Sequence, residues 1–374
     1  MRVYLDNAAT TPLESEVIDA MTDALRFDFG NPSSIHAEGR RARASIENAR
    51  KIVARHLGAS VGEIYFTSCG TESNNMAIKC AVRDLGVRRI ISSHIEHHCV
   101  LHSLQSIREH GGVEVDFVEL DALSRVNFDH LENLLRAGAD RKTMVSLMHA
   151  NNEIGTLLDL ERTSQLCRAH GVLFHTDTVQ TVGYYPFDLS KLKLAFMSGS
   201  AHKFHGPKGV GFIYISNDNL IHPLLDGGSQ ERNMRAGTEN IAGIVGLAKA
   251  LDLAYQNLDS RRQKMQDLRD YFAKALMTEI PGIRFLGAPL PDGHYKVLSV
   301  SFPPKLKYDL LVMNLDIAGI SASGGSACSS GAEVGSHVLL GIRADPDRPT
   351  VRFSFSHRNT PAELDLVINV LKTL

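Results

Sequence analysis

Ser200, His202 and Lys203 stand close together in the stretch Ser198-Gly199-Ser200-Ala201-His202-Lys203-Phe204-His205-Gly206-Pro207-Lys208-Gly209. The apolar run Leu192–Met197 precedes it and Phe212–Ile215 follows, so the segment reads as a loop between two buried strands. A lysine held there beside serine and histidine has a definite chemistry. Burial and cationic neighbours can keep its amine unprotonated and nucleophilic, which suits a Schiff base to an aldehyde cofactor. Taken alone, Lys203 and Lys208 could equally be surface lysines of a glycine-rich turn, so the decision rests on what else the chain supplies.

Pyridoxal phosphate is the aldehyde cofactor that fits, and it asks for four further things: an acid facing the ring nitrogen, phosphate donors, a hold on the ring and a grip on the substrate carboxylate. Asp177, at a predicted strand end, could face the ring nitrogen. Gly70, Thr71, Ser200 and His202 could hold the phosphate, Gln180 the ring hydroxyl, and His97 could lie against the ring face. Arg352 could clamp a carboxylate through two parallel hydrogen bonds, with Asn152 assisting. Each residue has an ordinary alternative as a cap, a core histidine or a solvated strand charge, and the order and spacing of the set argue for chemistry. No metal site is expected. The five cysteines are odd in number and lack the spacing of a zinc site or a disulfide framework. Cys328 differs from the others. It sits in Ser321-Ala322-Ser323-Gly324-Gly325-Ser326-Ala327-Cys328-Ser329-Ser330, a run of small residues with nothing to anchor a core, so its thiol is expected to travel. Cys69 and Cys99, next to the expected phosphate and ring positions, are read as packing residues.

These residues need elements to position them. Thr11-Pro12-Leu13-Glu14 carries an N-cap, a proline at the first helical position and an acid at the third, so a helix is predicted from Pro12, with Leu13, Val17, Met21 and Leu25 on one face. A second helix ends at Leu57 with Gly58 as its C-cap. Ile64–Thr67 reads as a strand running into Ser68-Cys69-Gly70-Thr71 and a helical run from Met76. A strand, a Gly-Thr turn and a helix start form a ready anion site. Strands and helices then alternate through Ile90–Ser92, Cys99–His110, Val113–Leu120, Leu131–Leu135, Thr143–Met148, Asp159–His170 and Val172–Phe174. Such alternation predicts an α/β fold with a mostly parallel central sheet flanked by helices, and ligands beyond the carboxyl ends of the strands. Helical residues Ile241–Met277 include a plausible hinge, and strand-like Lys296–Phe302 and Thr350–Phe355 around helical Tyr308–Leu315 suggest a smaller α+β domain.

Composition sets the outer bounds. With 374 residues, 43% of them hydrophobic, and a net charge of −2, the chain can bury a large core and carries no field that would attract nucleic acid or an anionic membrane. The start Met1-Arg2-Val3-Tyr4-Leu5-Asp6 meets charge at once, and no apolar run reaches transmembrane length, so a cytoplasmic enzyme is expected.

Six motifs carry a family resemblance: Tyr4-Leu5-Asp6-Asn7-Ala8-Ala9-Thr10-Thr11-Pro12, Gly70-Thr71-Glu72-Ser73-Asn74-Asn75, Asn151-Asn152-Glu153-Ile154-Gly155, Ser200-Ala201-His202-Lys203, Met234-Arg235-Ala236-Gly237-Thr238-Glu239-Asn240 and Ser323-Gly324-Gly325-Ser326-Ala327-Cys328. Together they resemble the cysteine desulfurases of the class V aminotransferase group, from about residue 4 to residue 356. The resemblance implies a fold-type-I pyridoxal-phosphate transferase acting as a homodimer, with Lys203 as the Schiff-base lysine and Thr238 reaching the phosphate of the partner subunit's site. It further implies a large domain at 12–259, and a small domain formed by 1–11 and 260–374. The implied reaction takes L-cysteine to L-alanine. Cys328 would attack the substrate sulfur and keep it as a persulfide for a sulfur-acceptor protein, while His97 and Lys203 carry protons. Cys69-Gly70 and Ala201 depart from the glycine-alanine pair and the glycine common in the family, both small changes at the phosphate. The cofactor frame would also serve a selenocysteine lyase or another β-eliminase, and a scaffold that had lost its chemistry would share the fold.

Overall fold

The structure is a computed structural model that describes residues 2–138, 140–288, 290, 292–304, 310–324 and 335–374. Cys328 and the predicted start of a helix at Tyr308 lie outside the described residues. Twelve strands run along the described chain: β1 (Val3–Tyr4), β2 (Ile64–Thr67), β3 (Arg89–Ser92), β4 (Glu114–Phe117), β5 (Thr143–Ser146), β6 (Leu173–Asp177), β7 (Phe196–Ser200), β8 (Gly211–Ile215), β9 (Arg284–Leu286), β10 (Val297–Ser301), β11 (Ile320–Ser321) and β12 (Thr350–Ser354).

Seven of them form the main sheet in the order β2-β8-β7-β6-β5-β3-β4. Pairing is parallel from β7 through β6, β5 and β3 to β4, whereas β8 runs antiparallel to both β7 and β2. Since β8 is antiparallel to both neighbours, β2 points the same way as β7. The carboxyl ends of β2, β3, β5, β6 and β7 therefore share one edge of the sheet, where an α/β fold gathers its ligand groups. Strands β3, β5, β7 and β8 are buried at every position, as expected for a sheet covered on both faces.

Two of the three large apolar clusters, one on the main sheet and one on the smaller sheet, lie apart. One packs Ile46, Val53, Phe66, Val145, Phe174, Phe204 and Leu251 around the main sheet. The other packs Val3, Leu5, Phe272, Val300, Phe353, Phe355 and Ile368 around the three-stranded antiparallel sheet β12-β10-β9. The N-terminus joins this second core because β1 pairs with β11. The predicted mostly parallel sheet with a smaller α+β unit is what the chain builds, and no described helix is long and apolar enough to cross a membrane.

Local signals explain most of the helices. The helix Ala37–Leu57 stops at Gly58, whose φ of 63° is the left-handed conformation that glycine adopts without strain. The last helix, Pro361–Thr373, has a capping box between Thr360 and Glu363 with proline in its first turn. One boundary needs correction: the first helix spans Ser15–Phe27 with Glu14 as N-cap, not Thr11. The Thr11 hydroxyl is engaged by tertiary structure instead, donating to the His202 carbonyl at 2.9 Å and accepting from the His205 amide at 2.7 Å. The run predicted to become helical at Met76 begins earlier, at Gly70.

Candidate active site

At the shared strand edge lies a cavity of about 390 Å³. Of the residues singled out in the sequence, Gly70, Thr71, His97, Asn152, Asp177, Gln180, Ser200, His202, Lys203 and Arg352 all line it. Thr238 is exposed and lies outside this cavity.

Lys203 ends a short 3-10 turn, Ala201–Lys203, that leaves β7. Its amine donates to the carbonyls of Ala8 and Ala9 at 2.8 and 2.7 Å, so the N-terminal segment supplies its resting partners. Its own carbonyl accepts from the Tyr184 hydroxyl and from the Lys296 amine, each at 2.8 Å. Burial, reinforced by the charges of Lys203, Lys296 and Lys208, lowers the pKa of His202 to about 3 and keeps that ring neutral.

Asp177 closes β6 and is fixed from two sides. Asn74 Nδ2 donates to one carboxylate oxygen at 2.7 Å, and the Val179 amide to the other at 2.9 Å. Behind Asn74 the fully buried His175 continues the chain of bonds, with Nε2 3.2 Å from Asn74 Oδ1 and Nδ1 2.9 Å from Ser146 Oγ. Asn74 Oδ1 can only accept, so Nε2 carries the proton and Ser146 donates to Nδ1. Burial holds His175 near a pKa of about 3, consistent with this neutral tautomer.

Gly70 starts the helix Gly70–Asp84, immediately after Cys69 in extended conformation. A Cβ at Gly70 would stand 2.5 Å from Val179 Cγ2, so only glycine leaves the helix terminus this close to the segment after Asp177. Unpaired helical N–H groups at such an end attract an anion. Ser200 Oγ and Gln180 Oε1 are buried without a hydrogen-bond partner, while Gln180 Nε2 donates to the Ala8 carbonyl at 3.0 Å. Orphaned polar atoms of this kind call for a ligand or solvent partner. With the cradle, the acid and the lysine, they fit a phosphate-bearing aldehyde with a ring nitrogen and a ring hydroxyl.

His97 is the N-cap of the helix His98–Gly111, and its Nδ1 accepts from the Cys99 amide at 3.1 Å. That leaves the Nε2 proton on a neutral ring, whose pKa burial lowers against the opposing pull of Asp177. Burial pushes the Cys99 thiol up to about 12, so it is no nucleophile, in keeping with a packing role.

Arg352, buried on β12, differs from the expected free fork. Nη2 donates to Asp6 Oδ1 at 2.8 Å and Nη1 to the Asn152 carbonyl at 2.9 Å, while Nε is buried and unpartnered. Any carboxylate bound at this guanidinium would share it with Asp6. The described residues flanking the Cys328 segment are tied to the same cavity. Ser323 pairs with Arg352 through both main-chain groups, and beyond the segment the His337 ring lies 2.8 Å from the Glu96 carbonyl and lines the cavity.

The residues that sequence reasoning missed are Asn74, the Ala8 and Ala9 carbonyls, and Lys296. Asn74 stands in the Gly70–Asn75 motif and could have been suspected from it. The two carbonyls have no side-chain signature, and Lys296 opens what reads as an ordinary buried strand.

Comparison with known proteins agrees with this geometry. The aminotransferase class-V profile matches residues 3–367. A cysteine desulfurase IscS of Dictyoglomus turgidum is 42% identical over 379 aligned positions, covering 100% of this chain and 94% of that protein. A cysteine desulfurase IscS of Methanosarcina thermophila is also 42% identical, covering 99% of this chain and 91% of that protein. A solved NifS-like protein superposes with a TM-score of 0.92 at 37% identity, covering 100% of this chain and 99% of that one. A structure of SspA in complex with cysteine gives a TM-score of 0.82 at 29% identity over 96% of this chain and 100% of that one. The chain belongs to the class-V aminotransferase family, in its cysteine desulfurase branch, whose cofactor is pyridoxal phosphate.

Proposed function

We propose that this chain removes sulfur from L-cysteine, giving L-alanine and a persulfide on Cys328 that passes to a sulfur-acceptor protein. The observation that carries this reading is the convergence on one cavity of Lys203, Asp177, the Gly70 cradle and Arg352.

In this reading Ser200, His202, Thr71 and the helix start at Gly70 would hold the phosphate, Gln180 would meet the ring hydroxyl, His97 would support the ring, and Asp177 would serve the ring nitrogen. Bound there, pyridoxal phosphate supplies an aldehyde for an amine and a cationic ring that draws electrons from the substrate Cα. Lys203, released from its bonds to the Ala8 and Ala9 carbonyls, would be the amine that meets the aldehyde and would carry a proton at its Nζ. Asp177, held by Asn74 and the Val179 amide, cannot turn away from the ring nitrogen. Arg352 and Asn152 orient the substrate carboxylate. The Cys328 thiolate attacks the substrate sulfur; an S–S bond forms as the Cβ–S bond breaks, and the electron pair left on the three-carbon fragment is protonated on the way to alanine. His97, with its proton on Nε2, is the second proton carrier. Support for Cys328 comes from its flanks, since Ser323 pairs with Arg352 and His337 with Glu96 beside the cavity.

We place the large domain at 12–259 and the small domain at 1–11 with 260–374. The two separate cores support this, although Met265 and Tyr295, both past the boundary, still pack on the larger one. A homodimer with Thr238 serving the partner subunit's site is supported by the exposure of Thr238 and by the exposed apolar side chains Leu25, Phe29 and Ile35.

Anaerobic incubation with L-cysteine, followed by measurement of alanine and of protein-bound sulfur, tests the reading. Equal alanine and persulfide in the first turnover is the expected result. Pyruvate, ammonia and sulfide in place of alanine would move the assignment to a β-eliminase, alanine without protein-bound sulfur would move it to a selenocysteine lyase, and a protein that binds no pyridoxal phosphate would leave only a scaffold.

A further inference from the structure

Lys296 is a fully buried lysine to which the reaction assigns no part. Its amine donates to the Lys203 carbonyl at 2.8 Å and stands 4.3 Å from the centre of the Tyr184 ring. The Tyr184 hydroxyl donates to the same carbonyl, so the main chain of Lys203 is gripped by two donors at once. Among the described residues no carboxylate forms an ion pair with Lys296. Burial, joined by the charges of Lys203 and Arg352, drives its pKa well below the ordinary lysine value, with only Asp6 pulling the other way.

Burying an amine with no carboxylate beside it costs stability, and its hydrogen bond to the Lys203 carbonyl returns only part of that cost. The amine therefore points to a role in the site. Lys296 immediately precedes β10, on which Ser299 pairs with Arg352, and its carbonyl accepts from the Phe355 amide at 2.8 Å. The backbone that carries Lys296 thus belongs to the smaller core, while its amine ends on the larger. The smaller core reaches the site twice, through Arg352 from one side and through Lys296 beneath Lys203.

We propose that Lys296 is a positioning residue: acting through the main-chain carbonyl of Lys203, it fixes the backbone from which the Lys203 amine reaches the cofactor aldehyde, and so makes Schiff-base formation depend on how the two cores are docked. The inference rests on the reading of Lys203 as the carrier lysine. The Lys203 side chain must move from the Ala8 and Ala9 carbonyls to the aldehyde, and a pinned carbonyl confines that movement to side-chain torsions. Without the pin, the turn Ala201–Lys203 shares the motion, and the amine spends less time within bonding distance.

The test uses the full-length protein freed of cofactor, in wild-type form and as Lys296→Met and Tyr184→Phe. Three quantities are read: the Schiff-base fraction and its rate of formation with pyridoxal phosphate, from absorbance and borohydride trapping mapped to the modified lysine; the affinity for 4′-deoxypyridoxine phosphate, which keeps ring and phosphate but lacks the aldehyde; and the melting temperature. Lys296→Met should melt at or above the wild-type temperature and bind the deoxy analogue as wild type does, yet lose on the order of tenfold in Schiff-base formation. Tyr184→Phe should lose about three- to fivefold in the same quantity, and it carries the test alone if Lys296→Met does not fold. Unchanged Schiff-base formation in the variants overturns the proposal. So does an equal loss for the aldehyde and the deoxy analogue, which would mean general damage to the cavity. Trapping of wild-type protein at a lysine other than Lys203 is a separate result and would instead refute the carrier assignment.

Discussion

Replacing Gly70 with alanine should empty the site of cofactor by a route that can be reversed. No left-handed φ is required at Gly70, so the backbone accepts alanine, and the difficulty is one of space. The new Cβ would lie 2.5 Å from Val179 Cγ2, about 1 Å inside ordinary contact. Val179 is β-branched and stiff about χ1, and its amide is bonded to Asp177 at 2.9 Å, so it yields poorly. Relief by moving the helix start shifts the N–H groups of the anion cradle; relief by moving Val179 disturbs the hold on Asp177. Overpacking of this kind costs about 1–3 kcal/mol. If that cost falls on the bound geometry, the Kd for pyridoxal phosphate rises roughly five- to a hundredfold, at about tenfold per 1.4 kcal/mol. Absorbance titration of cofactor-free protein measures it. Adding Val179→Ala removes the clashing methyl groups and should recover most of the affinity. A Gly70→Ala protein that binds cofactor like wild type, or a double variant no better than the single one, would refute the steric reasoning.

Lys203→Ala should yield no borohydride-fixed adduct, with peptide mapping as the check. Cys328→Ala should still form a cofactor–substrate species with L-cysteine by absorbance but release essentially no alanine and retain no sulfur. Arg50 and Glu231 form a buried bidentate pair at 2.7 and 2.8 Å, so Glu231→Gln should lower stability by about 3 kcal/mol in urea unfolding, because a buried guanidinium loses its bidentate charge partner and keeps only the Glu47 carboxylate at 3.2 Å. His149 and His175 are buried with pKa values lowered from 6.5 to about 3, and a depressed folded-state pKa stabilises the fold above the unfolded value and loses that contribution as pH falls. Stability should therefore be insensitive to these groups above about pH 7 and fall by up to ~1.4 kcal/mol per pH unit for each of them between pH 6.5 and 3, a trend that thermal melts at pH 7, 6 and 5 would contradict if they coincided.

The features of this protein that are legible without a fold are those whose physics is local. Gly58 as a C-cap, Thr360 and Glu363 as a capping box, and the apolar strands alternating with helices each depend on a few neighbouring residues. The same holds for the site groups at strand ends, since Gly70, Asp177 and Lys203 each stand where a strand gives way to a turn or helix. Alternation could not reveal that β8 enters the sheet antiparallel between β2 and β7, because strand direction depends on partners far apart in the chain. Nor could capping rules locate the first helix, because Thr11, a good N-cap in isolation, bonds to His202 and His205 across the fold. Main-chain partners such as the Ala8 and Ala9 carbonyls carry no side-chain signal at all, and Lys296 acquires its place beneath Lys203 only when two cores dock. Such contacts wait on the whole molecule, because each joins groups that lie far apart in the chain and come within hydrogen-bonding distance only once the fold is complete.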